Sequence, residues 1–166
     1  MSVEIYLVRH GIAAELGEYA TDEERPLTEE GDRKTRKVAK QLVKFGLQFD
    51  IILTSPLVRA RQTAKILQAA ELSKKIEISS ALAPEGDIQT WLKWLDSWRQ
   101  TGGSKLALVG HQPDLANWAE TLIWGEARGV LILKKAGVIG VSLPEIGQPI
   151  GNSQMFWLTP PKFLLK

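Results

Sequence analysis

Short apolar runs alternate along the chain with longer stretches in which apolar residues recur every three or four positions. The short runs predict strands at 3–8, 51–53, 76–79, 106–109, 130–133, 138–143 and 154–158. In the first run Ile5, Leu7 and Val8 break strict alternation, which predicts a strand covered on both faces, as in a parallel sheet. Pro160 and Pro161 are predicted to end the regular structure.

The longer stretches predict four helices with recognisable ends. Their predicted capping or first-turn residues are Thr28, Ser55 with Pro56, Asp87 and Pro113. Glycines are predicted to end the first helix at Gly46, the third before Gly102 and the last at Gly125. The polar segment 13–25 lacks a periodic pattern and is predicted to be a loop.

This order of strands and helices predicts an α/β fold. We expect a three-layer sandwich in which a mostly parallel central sheet carries helices on both faces. The chain has 166 residues, which fits one domain better than two, so residues 1–166 are expected to form a single domain. In such sheets ligands bind beyond the carboxyl ends of the strands, and that edge is the first place to look for a functional site.

Composition removes several classes of function. The chain has no cysteine, which excludes disulfides, thiolate metal sites and cysteine nucleophiles. Its formal net charge of +2 is too small to indicate general nucleic-acid binding. No apolar run approaches the ~18 residues of a membrane span and no signal segment is visible, so we expect a cytoplasmic monomer without membrane contact.

Three apolar runs end in residues that carry chemistry. The first run ends at Arg9 and His10, the second leads to Ser55 and Arg59, and the fourth ends before His111. The chain contains only two histidines, and each lies beside a glycine at the end of a predicted buried strand. A single histidine in such a place is most often structural, but two of two with arginines nearby indicate a site.

Two imidazoles and two guanidiniums favour a tetrahedral dianion, because the planar fork of arginine binds phosphate oxygens in a bidentate manner. A cationic surrounding also disfavours imidazolium, so one histidine can stay neutral and attack phosphorus while the other donates a hydrogen bond to a phosphate oxygen. Two histidines without clustered carboxylates fall short of a zinc site. The chain also lacks a Walker-type loop and a dinucleotide fingerprint, so nucleotide-driven transfer is not expected.

The sequence resembles the histidine phosphatase superfamily, whose members are phosphoglycerate-mutase-like. Within this superfamily it is most similar to the compact phosphohistidine phosphatases of the SixA type. The matching segments run in order across most of residues 3–125. They are Leu7-Val8-Arg9-His10-Gly11, Arg25-Pro26-Leu27-Thr28 with Gly31, Ser55-Pro56 through Arg59-Ala60 and Gln62-Thr63, and Val109-Gly110-His111. The resemblance implies a phosphatase that needs no metal or organic cofactor.

The resemblance also implies roles for individual residues. His10 would be the nucleophile that becomes a phosphohistidine, and Arg9, Arg59 and His111 would form the phosphate pocket. Further substrate contacts are expected from Gly11, Arg25 and Ser55, where Gly11 would let the backbone approach the ligand.

The resemblance further implies a general acid, for which the segment 82–87 offers the nearest candidates. Its candidates are Glu85 and Asp87, for which a plain loop carboxylate and a helix cap are equally good interpretations.

Three functions remain open from the sequence. A chain this short has little from which to build a lid, so an open site could admit a phosphorylated side chain of another protein. The first hypothesis is therefore a phosphatase for protein phosphohistidine. The alternatives are a phosphatase for small phosphoesters and a catalytically inactive phosphate-binding module.

Overall fold

Six strands form the central sheet of the computed structural model, which describes residues 2–165. The strands are β1 (Glu4–Arg9), β2 (Ile51–Thr54), β3 (Ile76–Ile78), β4 (Lys105–Gly110), β5 (Val138–Ser142) and β6 (Gln154–Thr159). Their spatial order is β3-β2-β4-β1-β5-β6. Pairings β1 with β4, β4 with β2 and β2 with β3 are parallel, whereas β5 pairs antiparallel with β1 and with β6. The mostly parallel sheet predicted from the sequence is confirmed.

Four helices cover the two faces of this sheet. They are α1 (Glu29–Lys44), α2 (Val58–Ala69), α3 (Ile88–Arg99) and α4 (Asp114–Trp124). Ile5 and Leu7 of β1 belong to the core shared with α3 and α4, while Tyr6 and Val8 belong to the core shared with α1 and α2. All four side chains are at most 3% exposed, which explains why this strand does not alternate apolar and polar residues. The three-layer α/β fold is confirmed.

The ends of three helices lie where the sequence predicts them. Thr28 caps α1 by accepting a hydrogen bond from the Gly31 N–H at 2.9 Å. Asp87 caps α3 by accepting from the Gln89 N–H at 2.9 Å. α4 ends at Gly125, whose φ of 90° lies in the left-handed region that glycine adopts without strain.

The predicted cap of α2 is wrong. This helix begins at Val58 with Leu57 as its N-cap residue, and Ser55 lies outside it. The Ser55 hydroxyl accepts from the Leu57 N–H at 3.2 Å, so it stabilises the turn between β2 and α2. Three residues therefore separate the end of the strand from the first helical residue in this β–α connection.

The predicted strand at 130–133 is also wrong. The carboxylate of the fully buried Glu120 accepts hydrogen bonds from the backbone N–H groups of Arg128, Gly129, Val130 and Leu131. In a β-strand these N–H groups would donate hydrogen bonds to a neighbouring strand. The segment is consequently held as a loop against α4.

Short 3-10 helices account for two smaller differences from the sequence interpretation. Asp22–Glu24 forms one such turn inside the predicted loop, and Pro161–Phe163 forms another after the point where regular structure was predicted to end. A third lies at Ser80–Leu82. Within residues 2–165, none of the helices has the length and apolar character needed to cross a membrane.

Candidate functional site

The two histidines lie side by side because the strands that precede them are parallel neighbours. Arg9 at the end of β1 is in register with Gly110 at the end of β4. His10 and His111 follow these residues directly, and their ring centroids are 5.2 Å apart. The chain thus brings both of its imidazoles to one edge of the sheet.

The hydrogen bonds of His10 define its tautomer. Its Nδ1 lies 2.7 Å from the carbonyl oxygen of Gly11, which can only accept, so Nδ1 carries the hydrogen. Nε2 of the neutral ring then keeps its lone pair, and it accepts a hydrogen bond from Nε of Arg59 at 3.3 Å. The ring is held by the backbone on one side and offers a nucleophilic nitrogen on the other.

The neutral state of His10 is strongly favoured. Its side chain is almost completely buried, and this desolvation lowers the pKa of His10 to about 3. The bond to Gly11 opposes the shift, whereas the nearby His111, Arg59 and Arg9 add to it. Nε2 therefore remains unprotonated at neutral pH.

His111 is buried beside Ser55. Nε2 of His111 lies 2.7 Å from the Ser55 hydroxyl, and its Nδ1 has no hydrogen-bond partner among residues 2–165. Burial, followed by the charge of Arg59, lowers the pKa of His111 to about 4 against the opposing charge of Asp22. The Ser55 hydroxyl binds the imidazole and the turn, and its predicted contact with substrate stays a prediction.

Arg59 lies in the first turn of α2 and is 4% exposed. Besides its bond to His10, it donates from Nη1 to the carbonyl oxygen of Asp22 at 2.7 Å and from Nη2 to the Asp22 carboxylate at 3.0 Å. Arg25 donates from Nε to the other oxygen of that carboxylate at 2.8 Å. One aspartate thus joins two of the three arginines that the sequence predicts to bind phosphate.

Asp22 is a site residue that the sequence interpretation missed. Partial burial would raise the pKa of Asp22, but the hydrogen bonds and charges of Arg25 and Arg59 outweigh it and keep that pKa below its ordinary value. Asp22 is consequently ionised at neutral pH. The only local signal was an acidic cluster just before Arg25, in a segment without periodicity.

Arg9 is fixed by the loop that precedes β5. Its Nη1 donates to the carbonyl oxygen of Leu133 at 3.1 Å, while its buried Nε has no partner among the described residues. The loop itself is attached to the end of β1, because the Ala136 N–H lies 3.0 Å from the Arg9 carbonyl oxygen and 3.1 Å from that of His10.

These side chains surround a cleft of about 610 Å³ at the carboxyl edge of the sheet. Its charged lining residues are Arg9, Arg25, Arg59, Lys135, Asp22, Glu85 and Asp114. Three of its residues, Arg9, His111 and Gln112, each have a buried polar side-chain atom without a partner within residues 2–165. Such atoms are expected to bind water or a polar ligand. In the same range no group of three or more histidine, aspartate or glutamate residues is placed to hold a metal ion.

Gly11 has a packing role in the structure, and the substrate contact predicted for it stays a prediction. Its N–H donates to the Thr63 hydroxyl at 3.1 Å, and Gly11 does not line the cleft. A Cβ at this position would lie 2.3 Å from the Thr35 hydroxyl and 3.3 Å from the Gly31 carbonyl oxygen, so glycine lets the chain that follows β1 pass close to α1.

The two candidate general acids differ in position. Glu85 is exposed and lines the cleft, and its N–H donates to the Asp114 carboxylate at 2.8 Å. Asp87 is not among the lining residues and its carboxylate caps α3, so the helix-cap interpretation holds for it. Asp114 and Lys135, which the sequence interpretation missed, complete the charged lining.

A mostly parallel α/β sheet with two histidines and three arginines gathered at one edge is the arrangement expected for a protein that binds phosphate groups. Residues 5–99, more than half of the chain, match the sequence model of the histidine phosphatase superfamily, branch 1. The chain belongs to this superfamily.

Individual relatives cover almost the whole chain. An uncharacterized protein of Picosynechococcus sp. (strain ATCC 27264 / PCC 7002 / PR-6) is 48% identical over 98% of this chain and 99% of its own length. The phosphohistidine phosphatase SixA of Escherichia coli (strain K12) is 27% identical over 92% of this chain and 93% of its own. A solved structure of the protein histidine phosphatase SixA complexed with tungstate has a TM-score of 0.84 and 26% identity, covering 98% of this chain and 99% of that one.

Proposed function

We propose that the chain is a phosphatase that transfers phosphate to Nε2 of His10 and then to water, and that its substrate is phosphohistidine on a protein. The observation that carries the proposal is the state of His10. Its Nε2 is unprotonated, is held from the opposite side of the ring and lies 3.3 Å from an arginine nitrogen in a cleft with four cations. A nucleophile for phosphorus needs this combination of an unprotonated nitrogen and nearby positive charge, and the hydrogen bond from Arg59 is given up as Nε2 attacks.

In the first step the Nε2 lone pair of His10 forms a bond to phosphorus as the bond from phosphorus to the leaving group breaks. Nδ1 of His10 keeps its proton, and the Gly11 carbonyl stabilises the positive charge that develops on the ring. Arg9 and Arg59 stabilise the charge on the phosphate oxygens. In the second step water attacks phosphorus, the electron pair of the P–N bond returns to Nε2, and inorganic phosphate leaves.

His111 supplies a hydrogen-bond donor in this scheme. The Ser55 hydroxyl oxygen already accepts from the backbone, so its hydrogen is free to be donated to Nε2 of His111. The hydrogen of the neutral His111 ring is then on Nδ1, which has no partner among the described residues. A phosphate oxygen supplies that missing acceptor.

The proton for the leaving group comes from a carboxyl group at the rim or from solvent. Glu85 is the better placed of the two predicted acids, because Asp87 is engaged as a helix cap. The imidazole expelled from phosphohistidine takes up a proton readily near neutral pH. A phosphohistidine substrate therefore needs less help from an acid than an alkyl phosphate does.

Similarity to SixA supports the phosphohistidine substrate. The name of the curated relative assigns that activity to a protein with 27% identity to this chain over nearly its whole length. The related SixA structure is complexed with tungstate, a tetrahedral oxyanion like phosphate. By analogy we infer that the cleft between His10, His111 and the arginines binds the phosphoryl group.

The test compares a phosphohistidine-bearing protein with a panel of small phosphate esters, measured side by side as kcat/KM in the presence and absence of EDTA. We expect the phosphohistidine protein to be preferred at least tenfold and EDTA to have no effect. Preference for one small ester would identify the alternative, a small-molecule phosphatase. Absence of turnover on every substrate, including an aryl phosphate, would identify an inactive phosphate-binding module.

The single domain, the monomeric state and the cytoplasmic location stay predictions.

A further inference from the structure

A cavity of about 590 Å³ shares Arg9 and Lys135 with the catalytic cleft. We call it the basic groove, and its cations are Arg9, Lys34, Lys134, Lys135 and Lys162. They come from β1, α1, the loop before β5 and the 3-10 helix after β6. Four separate segments of the chain therefore direct positive charge to one cavity.

Of the part of the chain that the structure describes, no aspartate or glutamate lines the basic groove. Lys134 and Lys135 are exposed, and their side chains form no hydrogen bond or ion pair within residues 2–165. Lys162 lies 5.1 Å from the ring centre of Phe163. Among the described residues, Lys34 is the only one of the groove cations with a carboxylate partner, Glu30 at 2.8 Å. The groove thus carries a positive charge that its own lining does not neutralise.

The remaining surface of the groove is mostly apolar. It includes Ile12, Ala136, Pro160, Pro161 and Leu165. Within residues 2–165 no phenylalanine, tyrosine, tryptophan or histidine lines it, so these residues provide no aromatic ring on which a single-stranded nucleic acid could stack its bases. An apolar surface with a cationic rim instead fits a polypeptide in which an apolar side chain is flanked by carboxylates.

The basic groove is continuous with the catalytic cleft. Arg9 and Lys135 line both cavities. The backbone bonds from Ala136 to the carbonyl oxygens of Arg9 and His10 fix the lysine-bearing loop to the strand end that carries the nucleophile. A ligand in the groove is therefore held at a defined position relative to His10.

We propose that the basic groove binds an acidic segment of the protein substrate, with an apolar side chain of that segment on the proline-rich surface, while the phosphorylated histidine occupies the cleft. This inference rests on the proposed function, because it assumes that the phosphoryl group reaches His10 on a protein. A small phosphate ester fills only the cleft and gains nothing from the groove. The groove accordingly confers preference for proteins over small esters, and for acidic sequences among proteins.

The test uses two synthetic phosphohistidine peptides that are identical except for their flanks, Glu-Leu-Glu in one and Gln-Gly-Gln in the other. The variant is Lys134→Glu/Lys162→Glu, which reverses two groove charges outside the cleft. Its matched control is Lys40→Glu/Lys44→Glu, an equal change of charge on exposed lysines of α1 that line a different cavity. Hydrolysis of an aryl phosphate reports the catalytic centre alone.

We expect the groove variant to lose at least tenfold in kcat/KM for the acidic peptide, and less than twofold for the neutral peptide and the aryl phosphate. The control should change less than twofold on all three. The preference of the wild type for the acidic peptide should fall with rising salt, because screening weakens exposed charge interactions. If the groove variant lost kcat/KM equally on both peptides, or on neither, while aryl phosphate hydrolysis stayed intact, the proposed role of the groove would be wrong. The phosphatase proposal would be unaffected by that result.

A binding measurement separates the groove from catalysis. The probe is a fluorescein-labelled acidic peptide without phosphate, titrated by anisotropy against protein saturated with inorganic phosphate. We expect the wild type and the Lys40/Lys44 control to bind it at least tenfold more tightly than the groove variant does. Equal binding by all three proteins would refute the inference, whether or not the protein hydrolyses phosphohistidine. Tighter binding by the wild type and the control than by the groove variant would support it, again whether or not phosphohistidine is hydrolysed.

Discussion

The guanidinium of Arg59 bonds to both His10 and Asp22. Its Nε donates to the nucleophilic Nε2 of His10 at 3.3 Å, and its Nη1 and Nη2 donate to the backbone and the carboxylate of Asp22. All three guanidinium nitrogens therefore have partners within the protein. The negative charge of the Asp22 carboxylate, which binds both Arg59 and Arg25, opposes the binding of a phosphate to these two side chains.

Replacing Asp22 by asparagine should improve substrate binding. The substitution removes the negative charge that competes with phosphate, while the side chain keeps its size and one acceptor oxygen. Because the carboxylate is partly exposed, we expect the gain to be that of an exposed ion pair, about 0.2–1 kcal/mol. The KM for an aryl phosphate and the inhibition constant for inorganic phosphate should both fall, by up to about fivefold.

The matched control for this prediction is Glu23→Gln, which removes the same charge from the neighbouring residue of the same 3-10 helix. Glu23 does not line the catalytic cleft, so its substitution should leave both constants within a factor of two. A rise in KM for Asp22→Asn would mean that Asp22 orients the arginines for substrate, and the competition described above would be wrong.

His10→Asn should abolish turnover. Asparagine is similar in size to the front of the ring but has no nitrogen lone pair with which to attack phosphorus. Loss of a covalent nucleophile typically costs several orders of magnitude, and we expect kcat to fall by at least about a thousandfold. Circular dichroism should show a folded variant, which separates lost chemistry from lost structure.

A trapped intermediate tests the same residue in a different way. Acid-labile, alkali-stable label should appear on the wild type after a brief exposure to ³²P-labelled substrate, and it should be missing from His10→Asn. Label that persists on the variant would place the intermediate on another residue.

The strand ends could be predicted from the sequence, and the residues from the loops could not. His10 and His111 each follow a continuous apolar run, and parallel pairing then places them together without further information. Asp22 lies 37 residues from Arg59 in the chain and belongs to a segment without periodicity. Its position depends on contacts of the loop with α2, which no local pattern encodes.

The errors in the fold have a similar cause. The apolar run 130–133 has the composition of a strand, but the carboxylate of Glu120 takes the N–H groups on which strand pairing would depend. Ser55 has the composition of a helix cap, but its hydroxyl is bound by His111 and by the turn. In both cases a tertiary contact with one polar side chain outweighs the local preference.

Ser55→Ala should lower kcat by more than its effect on protein stability would explain. The substitution leaves Nε2 of His111 buried without a partner, which costs about 1–3 kcal/mol and frees the ring to change its tautomer. We expect kcat to fall at least about tenfold. Ser73→Ala is the matched control, because Ser73 is equally buried and bonds to Lys75 away from the cleft. It should lower stability but not kcat, and equal kcat for Ser55→Ala and the wild type would exclude a positioning role for Ser55.

Acid should destabilise the protein through its histidines. The pKa of His10 is lowered to about 3 and that of His111 to about 4, while both have ordinary values near 6.5 in the unfolded chain. Below pH 6.5 the unfolded chain therefore binds protons that the folded chain does not. The free energy of unfolding should be unaffected by these groups above pH 6.5 and should decrease as the pH falls toward 4, by at most about 1.4 kcal/mol per pH unit for each histidine.

Urea unfolding of the wild type and of His10→Gln/His111→Gln between pH 7 and pH 4.5 isolates this contribution, since the carboxylates are common to both proteins. The variant should have the smaller slope of free energy against pH. Identical slopes would show that the two imidazoles are not shielded from protonation in the folded state.

Glu120 should support the site from a distance through one loop. Its carboxylate holds four consecutive N–H groups of residues 128–131, and the same loop continues to Leu133, whose carbonyl oxygen accepts from Nη1 of Arg9. Glu120→Gln removes the negative charge and places the NH₂ group of the amide, a donor, against backbone N–H groups that need an acceptor. We therefore expect the free energy of unfolding to fall by about 1.5–3 kcal/mol. Because Arg9 loses a fixed partner, kcat/KM for an aryl phosphate should also fall at temperatures where the variant is fully folded. The control is Glu126→Gln, which neutralises the exposed carboxylate that lies 3.6 Å from Arg128, and it should change neither quantity. A Glu120 variant with full activity would show that Arg9 is positioned without this loop.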